Sequence, residues 1–298
     1  MNILEIRHVS RRFGEHEVLK DLSFSVPEHR IFGFIGKNGA GKTTTMKLIT
    51  GLLSADKGEI LVNGKAVRAG ENETNQYIGY LPDVPEFYDF MTPAEYLMLC
   101  ARITGMKGQE SRKRICELLK LVGLEDGKRR IHGFSRGMKQ RLGIAQALLN
   151  RPLLLICDEP TSALDPIGRK EILDILCEIK KETTVLFSTH ILSDVERICD
   201  EIAYLKNGSA VLQGSLEEIK EQQKKTYIEV EFVCGSDMER FQKQYQKGRS
   251  VEERTIRFAL EADILDIMKV LTMYDIPVQI LEKVEPTLED IFLEEEEK

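Results

Sequence analysis

The stretch GKNGAGKT, residues 36–43, decides how this chain is read. It fits G-x-x-x-x-G-K-[ST]. A short apolar run, residues 31–35, precedes it, and a helical pattern over residues 42–50 follows, with Gly51 placed to stop the helix. Glycines in such a strand-to-helix turn let backbone N–H groups face inward around phosphate oxygens. The start of the helix adds the positive end of its dipole. The spacing therefore nominates Gly36, Lys37, Asn38, Gly39, Ala40, Gly41, Lys42, Thr43 and Thr44 as a phosphate cradle. Lys42 is expected to reach the β- and γ-phosphates as a point charge, and Thr43 to place its hydroxyl on Mg²⁺. Glycine-rich turns also occur without a ligand; the consecutive Gly41, Lys42 and Thr43 favour the phosphate reading.

A second stretch, LLLICDEP at residues 153–160, supplies the matching half. Residues 153–157 read as a buried strand. A carboxylate at the carboxyl end of a buried parallel strand faces the ligand crevice. Asp158 is the expected Mg²⁺ partner, through water, and Glu159 the base that takes a proton from an attacking water. The alternative is a pair of exposed carboxylates opening a turn.

Outward from these two stretches the pattern alternates between strand and helix. Residues 4–9 and 22–26 alternate like strands, and Asn63-Gly64 marks a hairpin. Helical patterns fill the region from Thr92 to Asn150, where Thr92, Pro93 and Glu95 form a capping box with proline at the first helical position. Residues 118–122 continue a second apolar stripe, and a third helix is expected over about 138–150. A helix over 168–180 and a strand over 184–188 follow, then a hairpin at Asn207-Gly208. That order predicts a parallel sheet with crossover helices. Residues 216–225 read as a connecting helix. Beyond them come strands at 228–232, 255–260 and 278–284, a helix at 262–273 and a short helix from Thr287, predicting a small α+β domain. The closing Glu294, Glu295, Glu296 and Glu297 read as a solvated tail.

The bulk numbers agree with a cytosolic globular protein. Of 298 residues, 42% are hydrophobic and 31% charged, and the net charge of −7 disfavours a broad nucleic-acid surface. The six cysteines form no C-x-x-C pair, so neither zinc nor a disulfide framework is implied. The densest apolar run is far shorter than the ~20 residues a bilayer span needs, and the first residues, MNILEIRHVS, lack a signal-peptide core.

In this order the motifs resemble the ABC (ATP-binding cassette) ATPases, over about residues 1–220. FSRGMKQRLGIA, from Phe134, resembles the family's L-S-G-G-Q signature: Ser135 and Gly137 match, Arg136 replaces the first glycine and Met138 the glutamine. The S-x-G-M form looks like the drug- and bacteriocin-export branch. TSALD, ending at Asp165, is similar to the D-loop, Thr189-His190 to the switch histidine, and Phe13 to the aromatic that stacks on adenine. Each has a plainer reading: Ser135 as a helix cap, Phe13 as a core aromatic. After residues 78–82 the family usually has Gln, or Glu in some branches; here Asp83 stands. Asp83 is shorter and, when ionised, accepts hydrogen bonds only, so a water-bridged Mg²⁺ contact suits it better than a direct one.

The resemblance implies a P-loop NTPase cassette over 1–220: a parallel-sheet core, an antiparallel β subdomain and a helical signature subdomain at about 87–150. An accessory α+β domain follows over 226–298. In residues 286–293, PTLEDIFL resembles the ending common in bacterial exporters of this branch, and Thr287 and Asp290 make a sensible capping pair. ATP and Mg²⁺ are the implied ligands, with Glu159 and His190 catalytic. The implied partners are a second ABC ATPase chain, identical or homologous, and a separate transmembrane permease. The implied location is the inner face of the cell membrane. No nucleic acid is expected. A soluble ATPase acting on ribosomes or DNA, and a nucleotide sensor without turnover, remain the alternatives.

Overall fold

The computed structural model describes residues 1–70, 73–125, 127–222, 227–259, 264–284 and 287–297. The chain divides into two compact units, Met1–Leu216 and Glu217–Lys298.

The first unit opens with two long antiparallel strands, β1 (Asn2–Phe13) and β2 (His16–Pro27). Both outrun the alternation visible in sequence. His8 and Asp21 each have φ 52°, and the pairing shifts register between Ile6 and Val9. Such bulges break the period of two. Then come β3 (Ile31–Ile35), buried throughout, and α1 (Lys42–Ile49). The Asn63-Gly64 hairpin joins β4 (Lys57–Val62) to β5 (Lys65–Ala66). The antiparallel sheet runs β2-β1-β4-β5.

β6 (Ile78–Leu81) leads into three helices: α2 (Pro93–Ile103), α3 (Gly108–Leu121) and α4 (Arg136–Ala147). Thr92 and Glu95 form the expected reciprocal cap of α2. α4 starts two residues before the sequence reading placed it, because Ser135 accepts a hydrogen bond from the Met138 N–H at 3.2 Å and so caps the helix. The chain returns through β7 (Leu154–Asp158), α5 (Pro166–Ile179), β8 (Thr184–Thr189), α6 (Leu192–Ile198), β9 (Glu201–Lys206) and β10 (Ser209–Ser215). These complete a six-stranded sheet ordered β10-β9-β3-β8-β7-β6. Strands β9 to β6 run parallel and β10 is antiparallel. The two sheets share one apolar core, in which Phe24 stacks on Phe32 and Phe34 at ring separations of 5.7 and 5.0 Å.

The helix α7 (Leu216–Gln222) begins at the division between the units. In the second unit, β11 (Tyr227–Phe232), α8 (Gly235–Gln244), β12 (Arg249–Glu252), β13 (Thr255–Ala259), α9 (Ile264–Met273), β14 (Val278–Val284) and α10 (Leu288–Glu297) follow. The antiparallel order β12-β13-β11-β14 surrounds a core of Phe232, Phe241, Phe258 and Ile267. α8 and β12 do not stand out in the sequence. The Glu294–Glu297 run continues α10 instead of trailing as a tail. Lys225, Thr226, Leu260, Ala262 and Pro286, assigned to segment ends from sequence, lie outside the described residues.

Candidate functional site

Strand order assembles the site. β3, β8, β7 and β6 are successive neighbours, all parallel. Their carboxyl ends lead into Gly36, His190, Glu159 and Asp83, four segments spread over more than half the chain. Register fixes them: Ile35 pairs with Thr189, and Asp158 with Ser188.

The cradle accommodates only glycine at its tight points. A Cβ on Gly36 would meet the Leu205 carbonyl oxygen at 2.7 Å. Gly41 has φ 112°, and a Cβ there would meet Leu19 Cδ2 at 2.7 Å. The loop is pressed against β9 and β2, while Lys37, Asn38 and Gly39 stay exposed and Ala40 half-buried. The first-turn N–H groups of α1, at Lys42, Thr43 and Thr44, have no helical acceptor and are free to bind an anion.

Lys42 is only 6% exposed. Its ammonium donates to Gly36 O at 2.6 Å and Lys37 O at 3.3 Å, and lies 3.1 Å from Glu159 Oε1. The last is a charge contact without hydrogen-bond alignment, since Glu159 Oε1 is buried without a hydrogen-bond partner. Glu159 Oε2 accepts from His190 Nδ1 at 2.8 Å. Glu159 has φ 49°, a left-handed conformation that costs a non-glycine residue roughly 1–2 kcal/mol. It turns the chain directly after β7, with the carboxylate set between Lys42 and His190. The phosphate loop, the base and the histidine expected from sequence therefore meet.

Asp158 is buried, and its Oδ1 accepts from Ser188 Oγ at 2.6 Å. Ser188 Oγ also accepts from the Glu159 N–H at 3.0 Å. One fully buried hydroxyl thus orients both acidic residues, and no motif announced it. The only sequence signal was a small polar residue ending a buried strand. A second unannounced pair is Thr161, which donates to Asp194 at 2.7 Å; burial pushes the Asp194 carboxyl up. Beside Asp158, burial and then the Asp158 charge hold the Tyr80 phenol up at about 12 and raise the Cys157 thiol as well, so both are neutral. Thr43 is exposed at the loop mouth.

Other nominated residues lie at helix starts and on the surface. Ser135 caps α4, and Asp165 caps α5 by accepting from the Gly168 N–H at 3.2 Å. Gly137 sits beside Leu164. Among the described residues, none of the hydrogen bonds of Ser135 or Asp165 reaches residues 36–43. Phe13 is 45% exposed, with the Arg11 guanidinium 4.9 Å from its ring centroid, so it is not a core aromatic. Asp83 Oδ1 accepts from Ser162 Oγ at 2.7 Å and from Arg136 at 3.3 Å.

The residues fit a nucleoside triphosphate: a glycine cradle that a Cβ would fill, a buried lysine at its base, and an orphaned carboxylate oxygen facing that lysine. Comparison with known proteins agrees. The ABC transporter family profile matches residues 19–162, and a profile for the C-terminal domain of DrrA1-3-like ATP-binding proteins matches residues 214–295. The ABC transporter ATP-binding protein YxlF of Bacillus subtilis is 46% identical over 222 residues, 74% of each chain. The bacitracin transport ATP-binding protein BcrA of Bacillus licheniformis is 37% identical over 230 residues, covering 76% of this chain and 74% of that one. A solved dimeric cassette, MJ0796 in a post-hydrolysis state with ADP and Pi, superposes with a TM-score of 0.64 at 27% identity, covering 72% of this chain and 98% of that one. This chain belongs to the family of ABC transporter ATP-binding proteins. It is an ATPase of the ABC cassette fold and carries a DrrA-like C-terminal domain, in keeping with drug- and bacteriocin-export relatives.

Proposed function

We propose that two such chains, identical or homologous, enclose two ATP molecules with Mg²⁺ and drive a separate transmembrane permease that exports a drug, peptide or lipid-like substrate. The observation that carries this reading is that Ser135 and Asp165 cap two helix starts and, among the described residues, make no hydrogen bond to the phosphate loop. Residues 36–44, Asp158, Glu159 and His190 would make one half-site, and Ser135, Gly137 and Asp165 would serve the other. A half-site completed by a second chain accounts for both. Export is supported by the likeness to BcrA. An exposed apolar set after β6, Val84, Tyr88 and Phe90, suits a permease surface. Phe87 and Tyr88 both pack edge-on against Tyr96 of the helical part, Phe87 half-buried and Tyr88 still exposed. Among the described residues no helix is long and apolar enough to cross a membrane.

In the reaction, the loop amides and Lys42 bind the β- and γ-phosphates. Thr43 and Asp158 would hold Mg²⁺, which supplies neutralising charge on the phosphate oxygens. Triphosphate binding gives Lys42 a competing anion and releases Glu159 Oε1. That oxygen accepts a proton from water as the water oxygen bonds to the γ-phosphorus and the β–γ bridging oxygen departs with ADP. His190 holds the other carboxylate oxygen.

The test is Glu159→Gln. It is expected to bind ATP yet lose phosphate release by about 10²- to 10⁴-fold. The tagged variant, extracted gently from membranes with ATP and Mg²⁺, is expected to carry a polytopic membrane protein in stoichiometric amount. Recovery of ribosomes or DNA, or of no membrane partner, would move the assignment to a soluble ABC ATPase. Unchanged turnover would remove Glu159 as the base.

A further inference from the structure

Of the motif positions that depart from the family's usual residues, Asp83 and Arg136 touch. Asp83 lies just beyond β6 and Arg136 opens α4. Asp83 Oδ1 accepts from Ser162 Oγ at 2.7 Å and from Arg136 Nη2 at 3.3 Å, and the same Nη2 lies 3.4 Å from Ser162 Oγ. The three side chains close a ring. Ser162 stands three residues after Glu159, beyond the neighbouring strand β7. One turn further along α4, the fully buried Gln140 donates from Nε2 to the Asp83 main-chain oxygen at 2.7 Å. Residues four apart share a helix face. Successive turns of α4 therefore grip Asp83, the first by its side chain and the second by its backbone.

We propose that Asp83 and Arg136, bridged by Ser162, form an intrachain latch that holds the first turn of α4 in place against the Glu159-bearing end of β7, with Arg136 as a positioning residue for Ser135 and Gly137. The Gln140 grip is neutral and buried, so it anchors the second turn of α4 under all ionic conditions. The Arg136 grip joins side chains that are 44% and 48% exposed, so salt weakens it. The first turn is then the adjustable part of the helix. Ser135 Oγ, which caps this turn, moves with it. A lone arginine on an exposed face would have no such consequence; the closed ring with Asp83 and Ser162 gives the charge a fixed address. The latch lies within one chain and stands whether or not a permease or a second chain is found.

The experiment is a double-mutant cycle on the full chain without nucleotide: wild type, Asp83→Ala, Arg136→Gly and the double variant. Hydrogen–deuterium exchange is followed at peptides covering residues 135–141, at low and at high NaCl. Each single variant is expected to raise exchange there by about 1.4- to 5-fold, the range for an exposed ion pair, and the double variant no further than either single one. Wild-type exchange is expected to rise with salt toward the variant level, while both variants stay insensitive. Arg136→Lys, which keeps the charge, is expected to keep part of the salt response. In steady-state hydrolysis the Arg136→Gly effect is expected in kcat, with KM for ATP moved less, because the Lys42 cradle is untouched. Effects that add in the double variant, or a salt response equal in all chains, overturn the proposal. If Asp83→Ala fails to fold, Arg136→Gly against Arg136→Lys alone decides by the same salt comparison.

Discussion

Ser188 illustrates how much one hydroxyl settles at the scale of a residue. It binds the Asp158 carboxylate and the Glu159 N–H together, and it is fully buried. Removing it leaves a buried carboxylate short of a donor, at a cost of about 1–3 kcal/mol in folding stability. Groups that orient a metal-binding carboxylate affect activity by about 10- to 100-fold when lost. Ser188→Ala is therefore expected to lower phosphate release by that factor while the chain still binds ATP; unchanged turnover would show that the register of β7 and β8 alone suffices. At this scale the sequence was already explicit about Lys42, Asp158, Glu159 and His190, because their chemistry sits in short motifs. It was silent on Ser188 and on the bond from Thr161 to Asp194, since the partners are 30 and 33 residues away in sequence.

At the scale of elements, α4 and β6 approach unusually closely. A Cβ on Gly79 would run into the Ala147 carbonyl oxygen, and one on Gly143 would meet Leu81 Cδ1 at 2.5 Å. The Ala147 oxygen is backbone and cannot swing aside. Gly79→Ala is expected to cost about 1–3 kcal/mol, read as a lower urea midpoint with an unchanged slope. Element legibility followed periodicity. β3 and β7 stand out as unbroken apolar runs bounded by turn signals, and α2 by its capping box. α8 stayed hidden because Phe241 is its one buried apolar residue, too few to set a period. The ends of β1 and β2 stayed hidden because bulges reset the alternation.

For the whole molecule, ligand binding and folding are linked. ATP at about 100 times its Kd stabilises the Met1–Leu216 unit by about 2.7 kcal/mol if it binds only the folded form. The chain has no tryptophan, so circular dichroism or calorimetry is the suitable readout. With Glu159→Gln, to prevent turnover, the melting temperature of that unit is expected to rise with ATP. With Lys42→Ala the rise is expected to shrink or vanish. An equal rise in both would mean that the nucleotide sits elsewhere.

The sequence by itself determined the phosphate chemistry, the parallel α/β core and the cassette family, because a glycine-rich turn, a buried run ending in Asp-Glu and their order along the chain are local signals. Tertiary structure alone decided the rest. The order β3-β8-β7-β6 makes neighbours of four distant strand ends, so that Lys42, Glu159 and His190 meet. The same order turns two separate departures, Asp83 and Arg136, into a single contact. Hydrogen-bond pairing between strands is set by the burial of all of them at once, and no stretch of the chain carries that information alone.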